Sequence, residues 1–271
     1  MRRGPTAFFL ALWLETLLYG FHTVLFIICL FLLTRRKRPG HAVFLVTATF
    51  IFIFSSLHVG FMFKDAFVRF VGKKHHHRPT VPWPATITPK TFAYVMNGFF
   101  ADALVVYRCH AIWNFDVLYI IPAVVMVLVT AMVGAGDLDP HIQPKPSFFA
   151  LSLATNLYVT AMAAGRLYYM GPAIRTIFAR QPDFLRRYSR AFVITLETGI
   201  ANSACFIIFL VLCRKDSTEG SALMVQDCFA QIMGIIPTLI IVVVGLGSDS
   251  YYKVSESETK RLRPIRTISL V

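Results

Sequence analysis

The chain has 271 residues, 56% of them hydrophobic and only 15% charged, with a formal net charge of +13. A soluble domain carries about a quarter charged residues, and here the charges crowd into short stretches between long apolar runs, which excludes an ordinary soluble globule. Lys and Arg flank those runs instead of forming a basic face on a soluble module, so the positive charge points to a lipid bilayer with anionic headgroups and not to nucleic acid.

A spanning helix needs roughly 20 apolar residues, because the hydrocarbon core is about 30 Å thick. In lipid the backbone must satisfy its own hydrogen bonds, so such runs must be helical. Continuous apolarity without alternation argues against a β-barrel. The first run, Ala7 to Leu33, follows Arg2 and Arg3 but is too long for a signal peptide and contains Glu15, so it reads as a first span. Further spans are predicted over about His41–Phe63, Thr91–Trp113, Val117–Ala135, Ser147–Met170, Ser189–Cys213 and Leu223–Gly247. The expected fold is all-α: an integral membrane bundle of seven transmembrane helices over residues 1–247. A basic, Ser- and Thr-containing tail, expected to be disordered, follows over 248–271. Pro122 and Pro237 fall inside spans and are expected to kink them. No internal repeat supports an inverted-repeat transporter.

Lys and Arg near the spans set orientation. Thr34 to Gly40 reads TRRKRPG, the fifth loop adds Arg175, Arg180, Arg186 and Arg187, and the tail adds Lys253, Lys260, Arg261, Arg263 and Arg266. With seven spans these segments share one face, assigned to the cytoplasm of a plasma or internal membrane, with the N-terminus outside. The second loop opposes this with Lys64, Arg69, Lys73, Lys74, Arg78 and Lys90, but long loops weigh less in the rule.

Charges at mid-bilayer cost at least ~2.5 kcal/mol, so each calls for an explanation. Glu15, Tyr19 and His22 follow an i, i+4, i+7 spacing and form one stripe on the first helix. Asp227, Gln231 and Gly234 repeat that spacing on the seventh, so both stripes are expected to face one interior. Asp102 lies mid-way along the third span, with Asn97 above it. Glu15, Tyr19, His22, Asn97, Asp102, Asp227 and Gln231 are therefore candidates for a ligand or ion site, while the plainer reading makes them glue between helices, worth ~0.6 kcal/mol each. Arg166 and Glu197 are expected to pair on the cytoplasmic side. Arg108 closes the third span where a G-protein-coupled receptor places an Arg after an acid. Here Val106 and Tyr107 precede it, so it reads first as a snorkelling anchor beside Trp113.

Other segments carry weaker signals. His75-His76-His77 lacks the spaced partners of a metal site, and no cofactor motif appears. Pro79, Pro82, Pro84 and Pro89 with Trp83 suggest an extended connector at the interface. Residues 171–190 mix Ile174, Ile177, Phe178 and Phe184 with arginines, as an amphipathic helix on the leaflet would. Ser255, Ser257, Thr259, Thr267 and Ser269 are phosphorylation candidates, and the terminal Ser269-Leu270-Val271 matches, weakly, a carboxylate-capture peptide. Cys29, Cys109 and Cys205 read as packing residues, while Cys213 and Cys228 flank one short loop and are close enough in sequence to bridge. No N-x-[ST] acceptor occurs.

Three stretches carry a resemblance. They are Glu15-Thr16-Leu17-Leu18-Tyr19-Gly20, Tyr107-Arg108-Cys109-His110-Ala111-Ile112-Trp113, and the run from Gln231 through Pro237 to Gly247. Together they resemble a large family of multi-span membrane proteins of mushroom-forming fungi. The resemblance implies seven spans and brings no established activity and no catalytic or binding residue. Members often carry an Arg in the last stretch where this chain has Val243, so no role of that Arg carries over.

Seven spans, a basic cytoplasmic loop and a phosphorylatable tail fit a receptor- or sensor-like protein with a cytoplasmic signalling partner. No Cys lies near the top of the third span or in the fourth loop, so the usual receptor disulfide is absent, and without a Lys in the seventh span there is no retinal Schiff base. The alternative is a small transporter or channel using the intramembrane acids. An enzyme is the weakest expectation, since neither HExxH nor GxSxG occurs.

Overall fold

The computed structural model describes residues 5–35, 41–70, 89–113, 116–136, 146–177, 193, 196–197, 199–208, 210–211 and 227–243. The described residues are helical apart from the short connector after the third helix, and no strand occurs among them. The helices are α1 (Pro5–Arg35), α2 (His41–Phe70), α3 (Pro89–Ile112), α4 (Ile121–Gly136) and α5 (Pro146–Ile177), followed by α6 (Gly199–Ile208) and α7 (Asp227–Val243).

Proline sets three of the starts. Pro5, Pro89 and Pro146 each open a helix, where the missing N–H would lack an intrahelical acceptor anyway and φ is already helical. Pro122 follows the same logic. The expected kink does not exist, because α4 begins at Ile121 and Pro122 lies in its first turn. The preceding residues form turns instead, with Asp116 N donating to the Trp113 carbonyl, Leu118 N to Asp116 Oδ1 and Ile120 N to the Val117 carbonyl.

Three segments are long and apolar enough to cross a membrane: Phe8–Arg35, Ala42–Val68 and Ser147–Gly171. The 31 residues of α1 extend about 46 Å at ~1.5 Å per residue, more than a hydrocarbon core. The helices are also inside out relative to a soluble protein. Phe9, Trp13, Phe21, Ile27, Val46, Phe67 and Met132 are exposed, whereas Glu15, His22, Ser55, His58, Asn97, Ser152 and Gln231 are buried. In water such an apolar exterior would aggregate; against lipid tails it is the stable arrangement. These features are those of a membrane protein.

Side-chain contacts give the direction of each helix. Phe26 stacks on Phe52 at 4.2 Å and Tyr19 on the same ring at 5.9 Å, Phe50 on Phe100 at 4.9 Å, and Tyr107 meets Phe44 edge-on at 5.4 Å. Neighbours α1, α2 and α3 therefore alternate in direction. Gly134 of α4 lets the Phe148 ring of α5 approach closely, since a Cβ there would sit 2.8 Å from Phe148 Cε2. Phe149, Phe206 and Phe229 join α5, α6 and α7 in one buried aromatic cluster. Cys29, Ile51, Leu104 and Ile241 join α1, α2, α3 and α7 in another.

Several expectations lie outside the described residues: the triple histidine, the proline-rich connector apart from Pro89, the basic segment 36–40, the latter part of the amphipathic stretch, the tail, and Cys213. Cys228 is a free thiol.

Candidate functional site

The two polar stripes meet. Glu15 of α1 and Gln231 of α7 are both fully buried, with Gln231 Nε2 3.4 Å from Glu15 Oε1 and 3.3 Å from the Ser55 carbonyl of α2. The closest partner of Glu15 was not legible in the sequence. It is His58 of α2, whose Nδ1 lies 2.6 Å from Glu15 Oε1. His22, one stripe position further along α1, is buried beside Gln231 and edge-on to Phe52 at 5.6 Å. Gly234 of α7 makes that position available, because a Cβ there would lie 2.6 Å from His22 Cε1 and 3.1 Å from Ser55 Oγ. Tyr19 bonds Ser56 Oγ at 2.9 Å. Glu15 Oε2, Ser55 Oγ and Gln231 Oε1 are buried without a hydrogen-bond partner, so this cluster is dense but not saturated.

Asp227 belongs to a second group at the same end of the molecule. Its Oδ1 lies 2.6 Å from Lys90 Nζ, and that ammonium also sits 2.8 Å from Met62 Sδ. Lys90 reads from the sequence as a loop charge, but Pro89 starts the helix and carries Lys90 into its first turn. Asn97 Nδ2 donates to the Ala230 carbonyl at 2.6 Å and ties α3 to α7.

Asp102 lies apart from both groups and is buried, accepting from Ser152 Oγ of α5 at 2.9 Å. It lines a partly open cavity of about 50 Å³ between α3, α5, α6 and α7. A water needs roughly 10–15 Å³ on this measure, so the cavity has room for a few. Arg108, Asn156, Thr160, Asn202 and Pro237 line it too. Neither Glu15 nor Asp227 lines this cavity, which runs from Asp102 toward Ile112.

Two further expectations need correction. Arg166 and Glu197 do not pair. Arg166 Nε donates to the Ile112 carbonyl at 3.3 Å and its guanidinium lies 4.5 Å from the Trp113 ring centroid, while Glu197 is exposed. A planar cation over an indole face keeps its charge near the interface without an acid. The partner of Trp113 is thus Arg166 and not Arg108. Arg108 sits with its guanidinium carbon 5.7 Å from the Phe44 ring centroid, on the α2 side of α3.

Among the described residues no three His, Cys, Asp or Glu side chains gather to hold a metal ion. No family model matches the chain, and a search of curated proteins finds no match.

Proposed function

We propose that the chain is a seven-span, receptor- or sensor-like membrane protein with its N-terminus outside, its basic tail in the cytoplasm and a cytoplasmic signalling partner. One observation supports this above the others: the interior is asymmetric. At one end buried acids each meet a basic side chain, Glu15 with His58 and Asp227 with Lys90. At the other, four helices leave a cavity lined by Arg108. In the proposed orientation that cavity opens toward the face carrying the basic loops and the phosphorylatable tail. Tight packing at the outer end with room at the inner end suits a protein that passes a change of helix packing to a cytoplasmic partner.

The alternative of a transporter or channel needs a polar route through both ends. The buried cluster of Ile51, Ala101, Leu104 and Ile241 and the charge pairs above it count against such a route.

Two experiments test the reading. Proximity labelling from a tag on the tail, in cells, should mark a cytoplasmic protein, and changing Arg175, Arg180, Arg186 and Arg187 to Ala should abolish that mark; an unchanged label would overturn the proposal. Proteoliposomes holding the purified chain should show no proton or sodium flux. Flux that disappears in Asp102→Asn would establish the transporter instead.

A further inference from the structure

Three acids are buried among the described residues: Glu15, Asp102 and Asp227. Two have a basic side chain at 2.6 Å, His58 for Glu15 and Lys90 for Asp227. Asp102 has none. Its near neighbour in sequence, Arg108, lines the same cavity but is six residues on, roughly 9 Å along the helix axis, with its guanidinium carbon 5.7 Å from the Phe44 ring centroid of α2. Asp102 faces α5 instead, through Ser152. A lone carboxylate in a low-dielectric interior is costly, so its charge must be balanced or removed.

The surroundings of Asp102 favour balance. Thr16, Thr23, Thr49, Ser56, Thr130, Thr155 and Thr238 all turn their hydroxyls back to the carbonyl four residues earlier. Ser152 gives its proton to Asp102 Oδ2, which treats the carboxyl as an acceptor. One turn further along α5, Asn156 lines the same cavity, 3% exposed, with a buried amide nitrogen that has no hydrogen-bond partner. Its Oδ1 accepts from Thr160 Oγ1 at 3.2 Å. An amide can present either end and a hydroxyl can both donate and accept, so turning Asn156 over offers its oxygen to the cavity and keeps a bond to Thr160. Carboxylate, hydroxyl and amide oxygens beside space for water make a ligand set for a hard cation. A single carboxylate balances a single charge.

We propose that Asp102, Ser152 and Asn156 form a binding site for a monovalent cation of sodium type, reached through the cavity between α3, α5, α6 and α7. Receptor and transporter alike can carry such a site, so the proposal stands apart from the functional reading above.

The test is thermal unfolding of the purified full chain in detergent, in sodium, potassium or choline chloride at equal ionic strength and fixed pH. Sodium at roughly ten times its Kd should raise Tm by about 3 °C over choline. The increment should vanish in Asp102→Asn and need several-fold more sodium in Asn156→Ala. Should Asp102→Asn not fold, Asn156→Ala together with sodium-23 NMR line broadening on the unmodified chain decides. Equal stabilisation by all three salts overturns the proposal. So does stabilisation by acid alone, which would make Asp102 a plain protonated carboxyl, and so does wild-type sodium dependence in both variants.

Discussion

Glu15 Oε1 and His58 Nδ1 lie 2.6 Å apart with both side chains buried, on adjacent helices 43 residues apart in sequence. Removing one member of a buried pair leaves the other uncompensated, at a cost of about 3–5 kcal/mol. Glu15→Gln and His58→Ala should each lower the unfolding midpoint strongly. The double variant should be less destabilised than the sum, with a coupling of about 1–3 kcal/mol in a double-mutant cycle. Additive losses would mean that the pair does not act as one.

The Lys90–Asp227 contact predicts the effect of a charge exchange. Lys90→Asp and Asp227→Lys should each reduce the yield of folded protein, because each sets two like charges facing each other where opposite ones now lie 2.6 Å apart. Combining them should restore part of that yield in size-exclusion chromatography. A double variant as poor as the worse single one would sink the idea.

Gly234 predicts a steric effect with a specific rescue. A methyl there would meet His22 Cε1 at 2.6 Å and Ile51 Cγ2 at 3.1 Å, so Gly234→Ala should cost about 1–3 kcal/mol. His22→Ala in the same chain should recover much of it. Gly20→Ala is the control, since nothing lies within 4 Å of its added carbon, and it should unfold with the wild type or slightly later.

Arg166 should be sensitive and Glu197 indifferent. Arg166→Ala removes the cation over Trp113 and the bond to Ile112. Loss of about 1–2 kcal/mol is expected, with a change in tryptophan emission. Glu197→Ala should stay within ~0.5 kcal/mol of wild type, as an exposed residue does, and should show no coupling to Arg166. A measurable coupling would restore the pairing that their sequence positions suggested.

The free thiol at Cys228 is checked by mass. Alkylation of denatured but unreduced protein should modify Cys228, as it does after reduction. A modification seen only after reduction would place Cys228 in a disulfide.

Much of the helical layout was legible because long apolar runs have few other ways to satisfy their backbone. The start of α4 at Ile121 was not legible because hydropathy does not distinguish the turns over Val117–Ile120 from helix. The stripes on α1 and α7 were legible too, since Glu15, Tyr19, His22, Gln231 and Gly234 share helical spacing. His58 and Lys90 were not singled out. A lone histidine in the apolar run of α2 carries no mark of its partner, and Lys90 looks like one more basic residue of a basic loop. The pairing of Arg166 with Glu197 failed for the opposite reason. Opposite signs at similar depth invite a pair, yet the sequence does not reveal that one side chain reaches an indole while the other faces outward.

The two pairs also differ in when they can form. Glu15 and His58 belong to consecutive helices, α1 and α2, so the hairpin they form leaves the ribosome carrying both members of its pair. Lys90 must wait until α4, α5 and α6 have been synthesised, because Asp227 lies in α7. Until then an ammonium at the head of α3 stands unmatched. Docking of α7 would then bring the carboxylate to that ammonium, and a chain cut short before Asp227 would keep Lys90 without it.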